Sequence, residues 1–363
     1  MNRRELIKGI ALSPATGLMA APGADAKIET EIFRIKTKHT WTTTMSSSDY
    51  RDVLYVRWTE SGITGRGEGA PIVRYKESAE SAKKAVDSIA SALVASDPWK
   101  YRKILRDVFT KLPGEWAAKS AIDIALHDWV TQKLGTPLYR YFGLDAADTP
   151  ITTFSIGIDT PEVTKQKVLE ADPFPILKIK VGLDKDESTM EAIRSVTKKP
   201  LRLDANEGFK SKEEAVRKIN WLEGLGAQFI EQPLPAHMLE EQKWVRSKVH
   251  IPILADEACL RAEDIPKIAD AYDGIVIKLD KTGGIAGAMQ MIETARAHKL
   301  KTMLGCMVSS SVTITAAAHI SPLVDFADLD GNLLIANDPF SGVRVQEGKL
   351  ILPDRPGLGL GKA

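Results

Sequence analysis

Two lysines one residue apart, Lys178 and Lys180, lie inside a short apolar stretch, Leu177-Lys178-Ile179-Lys180-Val181-Gly182. Side chains alternate between the faces of a strand, so both ammonium groups share one wall while Leu177, Ile179 and Val181 face the other. Burying unpaired charge is costly, so such a wall needs anions or a polar cavity opposite it. A lone Lys-x-Lys would suit a solvent-facing edge strand. Here, however, further apolar stretches downstream end in Asp204, Glu231, Asp256 and Lys278.

Asp204, Glu231 and Asp256 recur about one strand-helix unit apart. Three carboxylates on neighbouring strands converge on one point and repel unless a cation lies between them. Oxygen donors without His or Cys favour Mg2+, or Mn2+, over zinc. Lys278 ends the next stretch, across the expected metal from Lys178 and Lys180, so a substrate held on the metal has an amine on each face. A lysine serves as a base near neutral pH only if its pKa is lowered, and a neighbouring cation with desolvation does this. For Lys180 those neighbours are Lys178 and the metal. The chemistry is removal of a proton α to a carboxylate or carbonyl, with the metal stabilising the enediolate and the opposite lysine returning a proton.

These residues need a frame that aligns them. From residue 150 the pattern predicts strands at 151–157, 176–182, 201–206, 228–233, 253–257, 274–280, 301–306 and 324–330, with helices such as 211–223 and 284–298 between them. Strands joined by helix-length crossovers run parallel, and eight of them close into an α/β fold, a (β/α) barrel with its chemistry at the strands' C-terminal ends. Upstream, strands at 29–37 and 52–59, a turn at Ser61-Gly62 into a third strand, and helices at 78–95, 98–110 and 117–134 predict an α+β domain. Residues 40–50, rich in Thr and Ser, read as a mobile loop. The expected organisation is an α+β capping domain at 27–145, completed by 334–363, over a catalytic barrel at 150–333.

A net charge of +1 leaves no basic field for nucleic acid and points to a small-molecule substrate. Cys259 and Cys306 are too few for a disulfide framework or a thiolate zinc site. No apolar run reaches the length of a membrane span. At the start, Asn2-Arg3-Arg4-Glu5-Leu6-Ile7-Lys8, an apolar stretch at 10–21 and Ala24-Asp25-Ala26 read together as a twin-arginine export signal over residues 1–26, which places the protein in the periplasm. Whether the chain forms a homo-oligomer is left open.

Lys178-x-Lys180, Asp204-x-Asn206, Glu231-Gln232-Pro233, Asp256-Glu257 and Lys278-x-x-Lys281-Thr282-Gly283-Gly284 resemble the motifs of the muconate-lactonising subgroup of the enolase superfamily, where lysine bases work with Mg2+. The likeness runs from about Lys27 to the C-terminus. It implies metal ligands Asp204, Glu231 and Asp256, acid/base lysines Lys180 and Lys278, and Lys178 as a carboxylate stabiliser. Asp328 and Asp330, in Phe326-Ala327-Asp328-Leu329-Asp330-Gly331, share a face and offer two carboxylates with no metal role, a complement to a substrate ammonium. This Asp-x-Asp resembles the dipeptide epimerases, which implies that the pair holds the amino group of an L-Ala-Xaa dipeptide while the lysines invert the second α-carbon.

The rival enzymes, N-acylamino-acid racemases, succinylbenzoate synthases and cycloisomerases, share the lysines and the metal but leave Asp328 and Asp330 unexplained. An exported solute-binding protein gives Lys278 no role. His298 falls in a helix, against a mandelate-type histidine base. The loop Gly305-Cys306-Met307-Val308-Ser309 departs from relatives at Ser309, with Cys306 and Met307 expected among the substrate contacts. For the second side chain, the lid at 40–50 decides. An acidic Xaa needs a cation there, ideally Arg. Between Lys38 and Arg51 the loop offers Trp41, Met45 and a run of Thr and Ser, which predicts a hydrophobic or neutral Xaa walled by Trp41 or Met45. Lys36, Lys38 and Arg51 flank the loop as the cations able to reach inward.

Overall fold

In the computed structural model, which describes residues 25–44 and 46–363, the chain opens with a three-stranded antiparallel sheet. Strand β1 (Lys27–Thr42) pairs with β2 (Ser47–Glu60), and β3 (Ile63–Gly69) follows through a two-residue turn. Both turn residues, Ser61 (φ 53°) and Gly62 (φ 73°), are left-handed, the conformation that matches the twist of the flanking strands. The Asp25 carboxylate accepts from their amides at 2.9 and 2.6 Å. The strands are longer than the sequence suggested, so residues 40–50 are chiefly hairpin arms and only the stretch between Thr42 and Ser47 connects them. Cross-strand bonds from Thr40 to Asp49 (2.6 Å) and between the Thr42 and Ser47 hydroxyls (2.8 Å) extend the pairing. Thr and Ser read as loop-formers in the sequence, yet here they serve as strand residues with partners across the ladder. Met45 and the expected export signal, apart from Asp25 and Ala26, lie outside the described residues.

Three helices cover this sheet: α1 (Ala79–Val94), capped by Ser78, α2 (Tyr101–Lys111) and α3 (Trp116–Lys133). Helix α3 is buried on nearly every side, between the sheet and the second domain. It lies close to the sheet because β3 carries Gly65, Gly67 and Gly69 on one face: a Cβ at Gly67 would stand 1.9 Å from the Ala121 carbonyl oxygen. The opposing residues Ala117, Ala121 and Ala125 recur every four positions on one helix face.

After the short α4 (Leu138–Tyr141), eight parallel strands follow in consecutive order: β4 (Phe154–Ile156), β5 (Leu177–Lys180), β6 (Leu201–Asp204), β7 (Ala227–Glu231), β8 (Ile253–Ala255), β9 (Gly274–Ile277), β10 (Lys301–Leu304) and β11 (Phe326–Ala327). A parallel bridge from Thr152 to Ala327 joins the first strand's approach to the last and closes the barrel. The crossovers are α5 (Pro161–Glu170), α6 (Asp186–Arg194), α7 (Lys212–Gly224), α8 (Leu239–Arg246), α9 (Ile265–Ile268), the single turn α10 (Leu279–Thr282), α11 (Ile285–Ala297) and α12 (Ser311–Ile320).

All eight expected strands are present, but shorter. The segment 274–280, expected as strand throughout, stops at Ile277 and turns into α10, which Gly283 closes in the left-handed region (φ 78°). Two residues upstream of the charged ends, on the same face, Phe229, Leu254 and Val276 join Met303 and Phe326 in an apolar plug. The site therefore rests on a filled barrel floor.

The capping domain docks through carboxylates set at the starts of barrel helices, where free amide donors and the helix dipole favour an anion. Asp123 accepts from Ile285 N at 2.7 Å, at the first residue of α11, and Glu68 from Ser310 N at 2.9 Å, just ahead of α12. The C-terminal segment runs beside β1, with Lys38 N donating to Leu334 O and Ala336 N to Lys36 O, both at 2.8 Å. It ends in two small ladders, β12 (Phe340–Ser341) with β15 (Gly361–Lys362) and β13 (Arg344–Gln346) with β14 (Lys349–Ile351). Among the described residues no helix is long and apolar enough to cross a membrane.

Candidate active site

Register sets the site. Lys180 on β5 stands opposite Asp204 on β6, which stands opposite Glu231 on β7, while Asp256 and Lys278 directly follow β8 and β9. Lys180 Nζ donates to Asp204 Oδ2 (2.5 Å) and Asn206 Oδ1 (3.0 Å). Lys178 Nζ lies 2.6 Å from Asp328 Oδ2, 2.8 Å from Glu231 Oε2 and 3.2 Å from Asp204 Oδ2. On the other side Lys278 Nζ donates to Asp256 Oδ2 at 2.7 Å. Lys178, Lys180, Asn206, Asp256, Lys278 and Asp328 border a cavity of about 440 Å³ that opens beneath the capping domain.

The electrostatics follow from burial and pairing. Burial alone would raise the Asp204 carboxyl, but Lys180, Lys178 and Lys278 hold it at about 2. Burial would likewise lower Lys278, yet Asp256 and Glu231 outweigh it and keep the amine above its ordinary value. Lys178, beside Asp328, Glu231 and Asp204, is raised well above its ordinary value too. The surrounding anions keep Lys278 and Lys178 protonated.

The carboxylates of Asp204, Glu231 and Asp256 are interleaved with lysine heads. Among the described residues no group of three or more His, Cys, Asp and Glu side chains stands at metal-holding distances. Lysine heads lie between them, Lys178 among Asp204, Glu231 and Asp328, and Lys278 and Lys281 on Asp256. Glu231 stands out by its hydrogen bonding. Both its oxygens are buried without a hydrogen-bond donor, the approach of Lys178 being misaligned for one, and burial with the charge of Asp204 pushes its carboxyl up to about 8. A buried carboxylate without donors, beside Asp204 and within the field of Asp256, fits an oxygen-coordinated divalent ion.

Asp328 and Asp330 come to the same cavity across the barrel seam. Thr153 Oγ1 donates to Asp328 Oδ1 and Ser155 N to Asp330 Oδ2, both at 2.6 Å. Trp41, Cys306 and Met307 also line the cavity, as expected, whereas Ser309 is buried away from it with its hydroxyl unpartnered. His298 ends α11, away from the site.

Several contacts that hold the site are not evident from the sequence. Lys281 clamps Asp256, bonding its carboxylate and, at 2.9 Å, its carbonyl oxygen. The Gln232 side chain accepts from Asp256 N and Ala258 N, each at 3.0 Å, and so fixes the backbone that carries Asp256. Arg74 of the capping domain pairs with Glu207 beyond β6. Asn206 (φ 40°), Glu207 (φ 64°) and Gln232 (φ 39°) adopt left-handed backbone without being glycine, a conformation that collects at functional sites. The polar side chains of these residues are visible in the sequence; their backbone conformation is not.

An eight-stranded barrel with lysines on either side of strand-end carboxylates, under an α+β cap, defines an enolase-type enzyme. Residues 27–143 match the family described as Mandelate racemase / muconate lactonizing enzyme, N-terminal domain, and residues 162–361 that described as Enolase C-terminal domain-like. The chain belongs to this enolase superfamily and is an isomerase. It is 40% identical to the L-Ala-D/L-Glu epimerase of Bacteroides thetaiotaomicron over 99% of both chains. It is 34% identical to the hydrophobic dipeptide epimerase of Enterococcus faecalis over 90% of this chain and 96% of that one. The substrate-liganded structure of the L-Ala-D/L-Glu epimerase from Bacillus subtilis superposes with a TM-score of 0.87 at 32% identity, covering 93% of this chain and 99% of that one. The Enterococcus faecalis dipeptide epimerase complexed with Mg and L-Leu-L-Tyr gives 0.86 at 33% identity, over 93% and 99%.

Proposed function

We propose that this protein is a metal-dependent dipeptide epimerase that inverts the α-carbon of the second residue of L-Ala-Xaa dipeptides. The observation that carries the reading is the placement of Lys180 and Lys278 on β5 and just after β9, on either side of the carboxylate group, with Asp328 and Asp330 bordering the same cavity. The carboxylate pair receives the substrate ammonium by charge-assisted hydrogen bonds. Lys178 faces the substrate carboxylate and offsets its charge. One of Lys180 and Lys278 removes the α-proton, and the other, held protonated, delivers a proton to the opposite face. Asp204, Glu231 and Asp256 would hold a divalent cation, Mg2+ or Mn2+, which when bound supplies charge stabilisation at the substrate carboxylate.

The test is exchange in D2O. Incubated with Mg2+ and L-Ala-L-Xaa dipeptides, the enzyme should place deuterium at the second α-carbon as the D-isomer accumulates. No exchange with any member of a dipeptide library would overturn the assignment.

Export to the periplasm is part of the same reading. Strand β1 starts at Lys27, directly after the small-x-small pattern at 24–26. Fractionated cells should carry the mature protein in the periplasm, and changing Arg3 and Arg4 to Lys should trap it inside. A cytoplasmic protein with its first residues intact would refute this.

The preference for a hydrophobic or neutral Xaa rests on residues 40–50, from which Trp41 lines the cavity. Arg51, on β2 just beyond them, lines it too.

A further inference from the structure

Just below the charged strand ends the barrel interior is apolar, except on two neighbouring strands. On β7, β8 and β9 the residue two positions before the strand-end charge is Phe229, Leu254 and Val276, and Met303 and Phe326 complete the plug. On β6 the same position, two before Asp204, is Arg202. On β5 it is Lys178, two before Lys180 and opposite Arg202 in the register.

The two cations differ in their partners. Lys178 lies against three carboxylates. Arg202 is only 6% exposed, and among the described residues no carboxylate is in ion-pair contact with it. Its guanidinium lies over the rings of Phe229 and Phe326, with centroids at 5.4 and 5.0 Å. Nε donates to Gln228 Oε1 at 3.3 Å, and Nη1 reaches β11 and donates to the Ala327 carbonyl at 3.1 Å. Burial pushes the guanidinium down to about 10, and Asp328 is the acid whose charge opposes this.

The Ala327 carbonyl stands one residue before Asp328. Lys178 holds this segment by the Asp328 carboxylate at 2.6 Å, and Arg202, beside Lys178, holds it by the carbonyl just upstream. A cation buried without a carboxylate of its own is expensive, and an apolar residue of similar volume would fill the plug without that cost. Packing alone therefore does not account for an arginine here. We propose that Arg202 is a positioning residue for the substrate ammonium: from beneath the site it fixes the backbone that carries Asp328 and Asp330 and supplies a positive charge that offsets their mutual repulsion. This rests on the reading of the two aspartates as the ammonium receiver of a dipeptide epimerase. Arg202 is not among the residues bordering the cavity, so it acts through Asp328 and Asp330 and not on the proton transfers at Lys180 and Lys278.

The test measures kcat and KM by α-deuterium exchange with the full-length Mg2+-loaded enzyme, on the most active L-Ala-L-Xaa dipeptide of the library and on its N-acetylated form. Calorimetry reads Mg2+ affinity alongside. Arg202→Met should raise KM for the free dipeptide about tenfold, with kcat within about twofold and Mg2+ affinity unchanged, and should shrink the preference for the free over the acetylated form. Arg202→Gln keeps a donor for the Ala327 carbonyl and loses the charge, so its KM should rise less, by about threefold or more. Arg202→Lys returns the charge without the fork and should recover most of the loss. An unchanged free-to-acetylated preference in either neutral variant, once folded, would overturn the proposal. So would kcat and Mg2+ affinity falling together with KM, or both neutral variants failing to fold, since each makes Arg202 part of the frame alone. Exchange with no dipeptide at all in the wild type would instead overturn the epimerase reading beneath it.

Discussion

Lys178 Nζ stands 2.6 Å from Asp328 Oδ2, so an ammonium of the barrel's own already sits on one member of the carboxylate pair that faces the cavity. The two aspartates are thereby made unequal. Burial would raise Asp328, but Lys178 keeps its carboxyl below the ordinary value. Asp330 lacks such a partner, and burial with the charge of Asp328 pushes it up to about 7.

That asymmetry gives a pH dependence with a definite sign. Asp330 is neutral below about pH 7 and charged above it, so the ammonium meets its second carboxylate only on the alkaline side. KM for a free dipeptide should rise as pH falls from 8 to 6, and Asp330→Asn should flatten that change. In the double variant Asp328→Asn, Asp330→Asn, KM should rise by about 10- to 100-fold, as expected for loss of charged hydrogen bonds. Free and N-acetylated dipeptides turning over equally well in the wild type would deny the aspartates this role.

Lys180→Ala and Lys278→Ala should each lower epimerisation by about a thousandfold or more, within the usual range for a positioned acid or base. Each leaves one amine on one face. The surviving lysine should therefore still exchange the α-proton of one stereoisomer in D2O, a different isomer in each variant. Interconversion of both isomers at the wild-type rate in either variant would dismiss the two-lysine assignment.

Removing divalent metal should abolish turnover, and Glu231→Gln should weaken metal binding because an ionic oxygen ligand becomes a neutral one. Calorimetric titration with Mg2+ or Mn2+ reads this without activity. Full activity in excess chelator, or unchanged affinity in Glu231→Gln, would remove Glu231 from the metal site.

The charged ends were legible in the sequence because each interrupts an apolar stretch, and burying charge demands a reason: Lys178, Lys180, Asp204, Glu231, Asp256 and Lys278 all surround one cavity or its floor. The strand count was legible for the same reason. What could not be read was anything that depends on two distant segments meeting. Lys281 looked like one more charge beside Lys278, and its bond to Asp256 depends on the chain leaving β9 at Ile277 to form α10. Arg51 sat at the edge of a segment read as loop, and its place in the cavity wall follows from β2 beginning at Ser47.

The glycine ladder of β3 was missed as well, although alternate glycines at 65, 67 and 69 and alanines four apart at 117, 121 and 125 stand in the sequence. Its meaning is backbone contact. Gly67→Ala would place a methyl group 1.9 Å from the Ala121 carbonyl oxygen and force β3 away from α3. The expected loss is about 3 kcal/mol, as for overpacking a tight core, read from the urea midpoint. An unchanged midpoint would show that the sheet and helix separate at little cost.

His319 joins three parts of the chain from within α12. Its Nδ1 accepts from Tyr139 N at 3.3 Å and its Nε2 meets Leu358 O at 3.1 Å, so the neutral ring satisfies both neighbours with one proton. A second proton would face the Tyr139 amide, donor against donor. Burial pushes the imidazole down to about 4, against the Leu358 carbonyl, which favours the charged ring. The folded protein therefore binds this proton less readily than the unfolded chain, whose histidine titrates near 6.5. Stability from this group is full above 6.5 and declines as pH falls toward 4, by about 3 kcal/mol for a shift of this size. Asp128, raised to about 6 by burial, works in the opposite sense over much of the same range, so the comparison must be between variants and not between pH values alone. Urea unfolding at pH 7 and pH 4.5 should show His319→Gln losing less stability on acidification than the wild type, even if the variant is weaker at pH 7. Equal acid losses in the two proteins would mean that the ring protonates in place and that the three-part junction does not depend on its neutrality.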